Sequence, residues 1–172
     1  LWQLGPGLMA VQAIAMVALG WYAANSFQRY THERTLAELQ RVLPLLANRY
    51  LQPVRDGLAE SELDRMVKTD GQRSAIRITL IRPDGTAMAD SDSDPRSMEN
   101  HRFRPEVDAA LRGAFESDLR RSATTHEPTT YLAQALMHND QPMAVIRAAL
   151  PLRAASNVPT DVMRAVGAAF TD

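Results

Sequence analysis

The chain of 172 residues has no cysteine. That absence excludes disulfides, a zinc ribbon and a thiol nucleophile together. It has no phosphate-cradling glycine loop, no dinucleotide fingerprint and no G-x-S-x-G nucleophile turn. His32-Glu33 opens like a zinc-protease helix, but Leu36 and Ala37 stand where the second histidine would be needed. His32, His101, His126 and His138 have no ligand-like spacing. The net charge is -1 and the basic residues are not clustered, which removes nucleic acid and other polyanions as partners.

One absence carries positive information. No Asp, Glu, Lys or Arg occurs from Leu1 to Gln28, and Arg29 is the first charged residue. Leu4 to Ala24 is long enough to cross a bilayer as one helix, because about 20 apolar residues span about 30 Å of hydrocarbon. Trp21 and Tyr22 fall where an interfacial aromatic belt belongs. The alternative is a buried core helix. Arg29, Arg34 and Arg41 follow the run, and the positive-inside rule alone would place that side in the cytoplasm. The chain opens on Leu1 and ends at Asp172 within a predicted helix, so it is expected to be part of a longer protein.

The remainder suits one domain with one core. Leu36, Leu39, Leu43, Leu46 and Tyr50 recur at heptad spacing, which predicts a helical stalk. That seam meets either a second copy, in a homodimer, or its own domain. Pro44 should kink it. A break is expected over 52–57, then a short helix from Ser61, capped through Ser61 and Asp64 and ended by Thr69-Asp-Gly71. Alternation predicts strands over 73–82 and 86–91, joined by the Pro83-Asp-Gly-Thr86 turn. A polar loop over 92–105 leads into a helix over 106–112. Strands follow over 114–123, 129–137 and 143–150, with a turn at His138–Pro142. An exit helix is expected over 159–170.

The fold class is therefore α+β: a five-stranded antiparallel sheet, a long N-terminal helix, short helices on one face and a C-terminal exit helix. The expected organisation is a transmembrane helix over 1–28, a stalk over 29–56, a sensor domain over 57–153 and an exit helix over 154–172.

Asp90-Ser-Asp-Ser-Asp94 matches the first three ligands of a calcium loop. Pro95 and His101 stand where that loop needs Gly and Glu, so no metal is assigned. Asp90, Asp92 and Asp94 remain weak candidates against a solvated turn. The better binding candidates are Arg96, Asn100, His101, Arg102 and Arg104 of the polar loop, with Arg121 and Tyr131 from neighbouring strands. Guanidinium forks suit carboxylate or phosphate. The alternative is that these groups fasten the loop to the sheet and bind nothing.

Several pieces in order resemble one family. They are Ile78-Thr-Leu-Ile-Arg-Pro-Asp-Gly-Thr86, Ala89-Asp-Ser-Asp92, Asp94-Pro95, Met98-Glu-Asn-His101 and Arg104-Pro-Glu-Val-Asp-Ala-Ala-Leu-Arg-Gly113. Arg121-Ser-Ala-Thr124, Tyr131-Leu-Ala133 and Ala149-Leu-Pro-Leu152 follow. Together they resemble the extracytoplasmic sensor domain of phosphate-regulon-type bacterial sensor histidine kinases. Asn139-Asp140 departs from the Asp-Gly or Gly-Gly usual at the last hairpin.

The resemblance implies a PAS-like, single-Cache domain at the bacterial inner membrane, facing the periplasm. The parent protein would then be an ATP- and Mg-dependent histidine kinase with a cognate response regulator; these 172 residues would hold no catalytic residue and no cofactor. A small anionic ligand or a protein partner is the expected signal. The same input module also fronts chemoreceptors and cyclic-nucleotide-signalling enzymes, and a membrane-anchored binding protein is a further alternative.

Overall fold

A computed structural model describes residues 4–122 and 124–152. The first helix, α1 (Leu4–Arg55), runs for 52 residues, a rod of about 78 Å at 1.5 Å per residue. From Gln12 to Tyr30 every residue whose side chain is described is exposed, with Ile14, Met16, Leu19, Trp21 and Tyr22 among them. Among the described residues no helix is long and apolar enough to cross a membrane. Burial begins after Tyr30. Leu39, Leu43, Leu46 and Tyr50 are at most 3% exposed within a single chain.

This corrects the expected dimer seam. The heptad stripe lies on its own sheet, against Leu132, Leu136, Ile146 and Leu150, with Leu36 packed at its margin. Heptad spacing specifies one apolar stripe, and a sheet face fills it as well as a second helix does. The helix also continues past Pro44, which sits on the exposed side, and past Pro53 to Arg55.

The second helix, α2 (Glu60–Ser74), is longer than its sequence signals predict. Its N-cap is Ala59 with no side-chain cap. Asp64 instead pairs with Lys68 and accepts from the Asp90 amide at 3.2 Å. Gly71 does not end the helix: a Cβ there would lie 2.3 Å from the Ser91 Cβ, so glycine permits close approach to the sheet. Ala75 closes the helix in the left-handed region, its amide donating to the Gly71 carbonyl at 3.0 Å. Asp70 joins α2 to α1, accepting from Arg49 at 3.0 Å and from the Tyr50 hydroxyl at 2.7 Å.

The sheet comprises β1 (Arg77–Ile81), β2 (Ala87–Asp90), β3 (Ser117–Arg121), β4 (Pro128–His138) and β5 (Gln141–Pro151). Every pairing is antiparallel, in the order β2-β1-β5-β4-β3. Asn139 and Asp140 both take positive φ, 49° and 60°, as a two-residue hairpin requires; side chains that bond their own backbone make Asn and Asp suited to it. The third helix, α3 (Pro105–Leu111), follows a single 3-10 turn at Pro95–Ser97.

Strand alternation divides the core between two faces. Ile78, Leu80, Leu132, Leu136, Ile146, Ala148 and Leu150 face α1 and α2. Ile81, Ala133 and Val145 face α3 through Val107 and Ala110. Two helices thus cover one face, while α3 and the polar loop take the other. The expected exit helix, 159–170, lies outside the described residues.

Candidate functional site

The face under α3 carries charge where a strand interior would ordinarily be apolar. Thr79 and Arg147 are cross-strand partners on β1 and β5, and both are buried. Tyr131 on β4 lies in the same layer, paired with Asp118 of β3 and Ala149 of β5. Side chains of this layer and of the loop above it line a half-open cavity of about 290 Å³. Five arginines line it: Arg77, Arg104, Arg120, Arg121 and Arg147. His101, Glu99, Tyr131 and the hydroxyls of Ser93, Ser97, Ser122 and Thr124 complete most of the wall.

Three carboxylates behind the wall hold three of these arginines. Glu106, fully buried on α3, takes Arg120 bidentately at 2.9 and 3.0 Å, with Arg147 at 3.6 Å. Asp118 also pairs with Arg120. Asp90, fully buried on β2, accepts from Arg77 at 3.0–3.2 Å, from the Thr79 hydroxyl at 2.7 Å, and from the amides of Asp92 and Ser93. The Tyr131 ring lies beneath two guanidiniums, with Cζ of Arg120 at 3.9 Å and of Arg147 at 5.2 Å from its centroid.

Arg147 is buried yet only partly satisfied. Its one hydrogen bond goes to Thr79 at 3.2 Å, and its buried Nε has no partner among the described residues. Burial pulls its pKa down to about 10, against the opposing pull of Glu106. Burial also resists charge on Glu106, yet the Arg120 fork and the Arg147 charge hold that carboxyl below the usual range. His101 is pushed down to about 4, first by burial and then by Arg147, so it is neutral near pH 7. Its Nδ1 lies against the Glu99 carbonyl and therefore carries the proton, leaving Nε2 as an acceptor.

Of the residues singled out in the sequence, His101, Arg104, Arg121 and Tyr131 meet at this cavity. Three others do not. Arg96 is exposed and bonds Asp94 at 3.0 Å. Asn100 donates to the Asp84 carbonyl at 2.9 Å and accepts from the Arg102 amide at 2.8 Å. Arg102 pairs with Asp108 at 2.7 Å. Asn100 and Arg102 lie over the Asp-Gly turn: a Cβ on Gly85, at φ +92°, would sit 2.2 Å from the Asn100 Oδ1. These two residues fasten the loop to the sheet.

The acidic run is likewise committed inside the chain. Asp90 is saturated by Arg77, Thr79 and two amides, and Asp94 by Arg96 and the turn it caps. No group of three His, Asp or Glu among the described residues could hold a metal.

Sequence reasoning passed over Arg77, Arg147 and Glu106. The signal was present for Arg147, a lone charge within the apolar strand Ala144-Val-Ile-Arg-Ala-Ala-Leu150. A charge at the centre of such a strand is buried, and buried charges require partners.

No known family profile matches the sequence, and no curated protein matches it. Solved structures do. The chain is similar to the ligand-binding domain of the Pseudomonas aeruginosa amino acid chemoreceptor PctB in complex with L-Gln, with 19% identity and a TM-score of 0.56 over 78% of this chain and 56% of that one. For the ligand-binding domain of the Pseudomonas fluorescens chemoreceptor CtaA in complex with L-serine, the values are 16%, 0.56, 80% and 61%. For the sensor domain of the V. cholerae histidine kinase DctB they are 17%, 0.49, 87% and 58%. The chain spans less than two thirds of each of these structures. At such identities the likeness to PctB and CtaA establishes the fold, a PAS-like, Cache-type α+β domain with a five-stranded antiparallel sheet behind a long N-terminal helix.

Proposed function

We propose that this chain is the anchor and extracytoplasmic sensor domain of a membrane-bound two-component sensor histidine kinase. The observation that carries the reading is the arginine-lined cavity on the sheet face opposite α1. A small anionic ligand would enter it between the polar loop and β3–β5. The sequence pieces that resemble phosphate-regulon-type kinases support the histidine-kinase output.

Two neighbouring residues support a route from cavity to helix. Tyr131 faces the cavity, and the adjacent Thr130 hydroxyl meets His32 Nδ1 of α1 at 3.1 Å. A ligand that favours one position of β4 would thereby favour one position of α1, and the rod would carry that bias towards the bilayer. The uncharged Leu1–Gln28 run, with Ile14, Met16, Leu19, Trp21 and Tyr22 exposed, supports the anchor. Contact between copies falls, on this reading, on the exposed stretch between Gln12 and Tyr30.

A chemoreceptor input domain is the second reading, favoured by the fold shared with PctB and CtaA. Sequencing the gene beyond the Asp172 codon separates the two. A second apolar span, a HAMP-like helix pair and a histidine ahead of an ATP-binding domain are the expected result. A long heptad hairpin would replace the kinase with a chemoreceptor, and a stop codon there would refute both.

A further inference from the structure

We propose that the cavity selects a small oxyanion that carries no ammonium group. The inference rests on the ligand-pocket reading above and narrows its chemistry.

Recognising an amino acid takes two opposed fittings: cations for the carboxylate, and an acceptor with negative charge for the ammonium. This cavity has the first in excess. Its wall and the groups paired to it hold five guanidiniums and four carboxylates: Asp90, Glu99, Glu106 and Asp118. Asp90, Glu106 and Asp118 are each engaged by an arginine, and the first two are fully buried behind it. Glu99 sits at the rim with its side chain 85% exposed, already bonded to Arg104 at 3.3 Å. An aromatic face could hold an ammonium instead, but the Tyr131 ring already takes two guanidiniums.

What remains for a ligand's positive group is the neutral His101 and a set of hydroxyls, which can accept a hydrogen bond but cannot offset a charge. Arg104 and Arg147 would repel it. A cation set beside these guanidiniums with no opposing charge of its own is disfavoured. The opposite holds for an anion. Arg121 bonds only the His126 carbonyl, at 3.1 Å, and forms no ion pair among the described residues. Carboxylate and phosphoryl oxygens are both suited to these donors.

The test uses the full 172-residue chain in a non-ionic detergent. Calorimetric titration and thermal midpoints are compared for propionate against L-alanine, glutarate against L-glutamate, and inorganic phosphate, at matched ionic strength. Each organic pair differs only in the ammonium group. The proposal expects at least one anion to bind about tenfold or more tighter than its amino acid, a gap of about 1.4 kcal/mol. Phosphate binding alone would also support it and assign the oxyanion as phosphoryl. Arg121→Gln, at an exposed position, should weaken the anion while leaving the ligand-free midpoint in place. An amino acid that binds as tightly as its deaminated partner overturns this inference and leaves the pocket reading standing. No binding by any of the five solutes overturns both.

Discussion

Glu106→Gln is the most informative single substitution in the domain. The side chain is fully buried and keeps its shape in the variant, so packing is retained and one charge is removed. Arg120 loses a bidentate partner at 2.9 and 3.0 Å but keeps Asp118. Among the described residues, Arg147 loses the only carboxylate paired with it, at 3.6 Å, and is left with a single hydrogen bond to Thr79. Breaking a buried ion pair from one side costs about 3–5 kcal/mol, because the remaining charge stays buried without compensation. Asp118 spares Arg120, so the lower end, about 3 kcal/mol, is expected.

That is a large share of the 5–15 kcal/mol typical of a domain, and corresponds to a fall of about 10 °C in midpoint. Urea unfolding of the detergent-solubilised chain, followed by circular dichroism, measures it. The double variant Glu106→Gln with Arg147→Met removes the stranded charge and should recover at least half the loss. A single-variant loss below about 1 kcal/mol, or a double variant weaker than the single, would refute the charge argument.

Other predictions concern the loop, the stripe and pH. Gly85→Ala places a methyl 2.2 Å from the Asn100 Oδ1 at φ +92°, and should lower stability by about 3 kcal/mol, read as a thermal midpoint. Cysteines at Leu39 or Leu43 should form no disulfide between copies in membranes, because both positions are fully buried in one chain; efficient crosslinking would return the stripe to a dimer interface. Acid should destabilise the domain in two stages. His101 titrates at about 4 when folded against 6.5 unfolded, so the unfolded chain takes up its proton first. Stability should then fall by about 3 kcal/mol as pH drops from 6.5 to 4. Glu106, held below the usual carboxyl range, adds stability above that range that is lost as pH falls through its folded value. His101→Asn should flatten the first stage in urea midpoints measured against pH.

The strands were legible because alternation and tight turns are local. Pro83-Asp-Gly-Thr86 and Asn139-Asp140 state their geometry in adjacent residues. Helix ends were harder to place. The Gly71 that reads as a stop is held inside α2 by Ser91, twenty positions along the chain. The stripe from Leu36 to Tyr50 was visible, but its partner was not, since a sheet face and a second helix both accept heptad spacing.

The site was half legible. His101, Arg104, Arg121 and Tyr131 stood out as donors near a polar loop and do meet at the cavity. Asn100 and Arg102 have the same chemistry but are consumed by the Gly85 turn, a matter of a few ångströms that spacing does not encode. Arg77 and Arg147 share the cavity only because β1 pairs with β5 across some seventy residues.

The central claim is that this domain senses its signal outside the cytoplasm. Fusing alkaline phosphatase after Leu152, and in parallel a fluorescent protein that matures only in the cytoplasm, tests it most directly in bacteria carrying the full chain up to that residue. The account predicts an active phosphatase and a dark fluorophore. An inactive phosphatase with a bright fluorophore would place the arginine cavity in the cytoplasm and contradict the sensor reading.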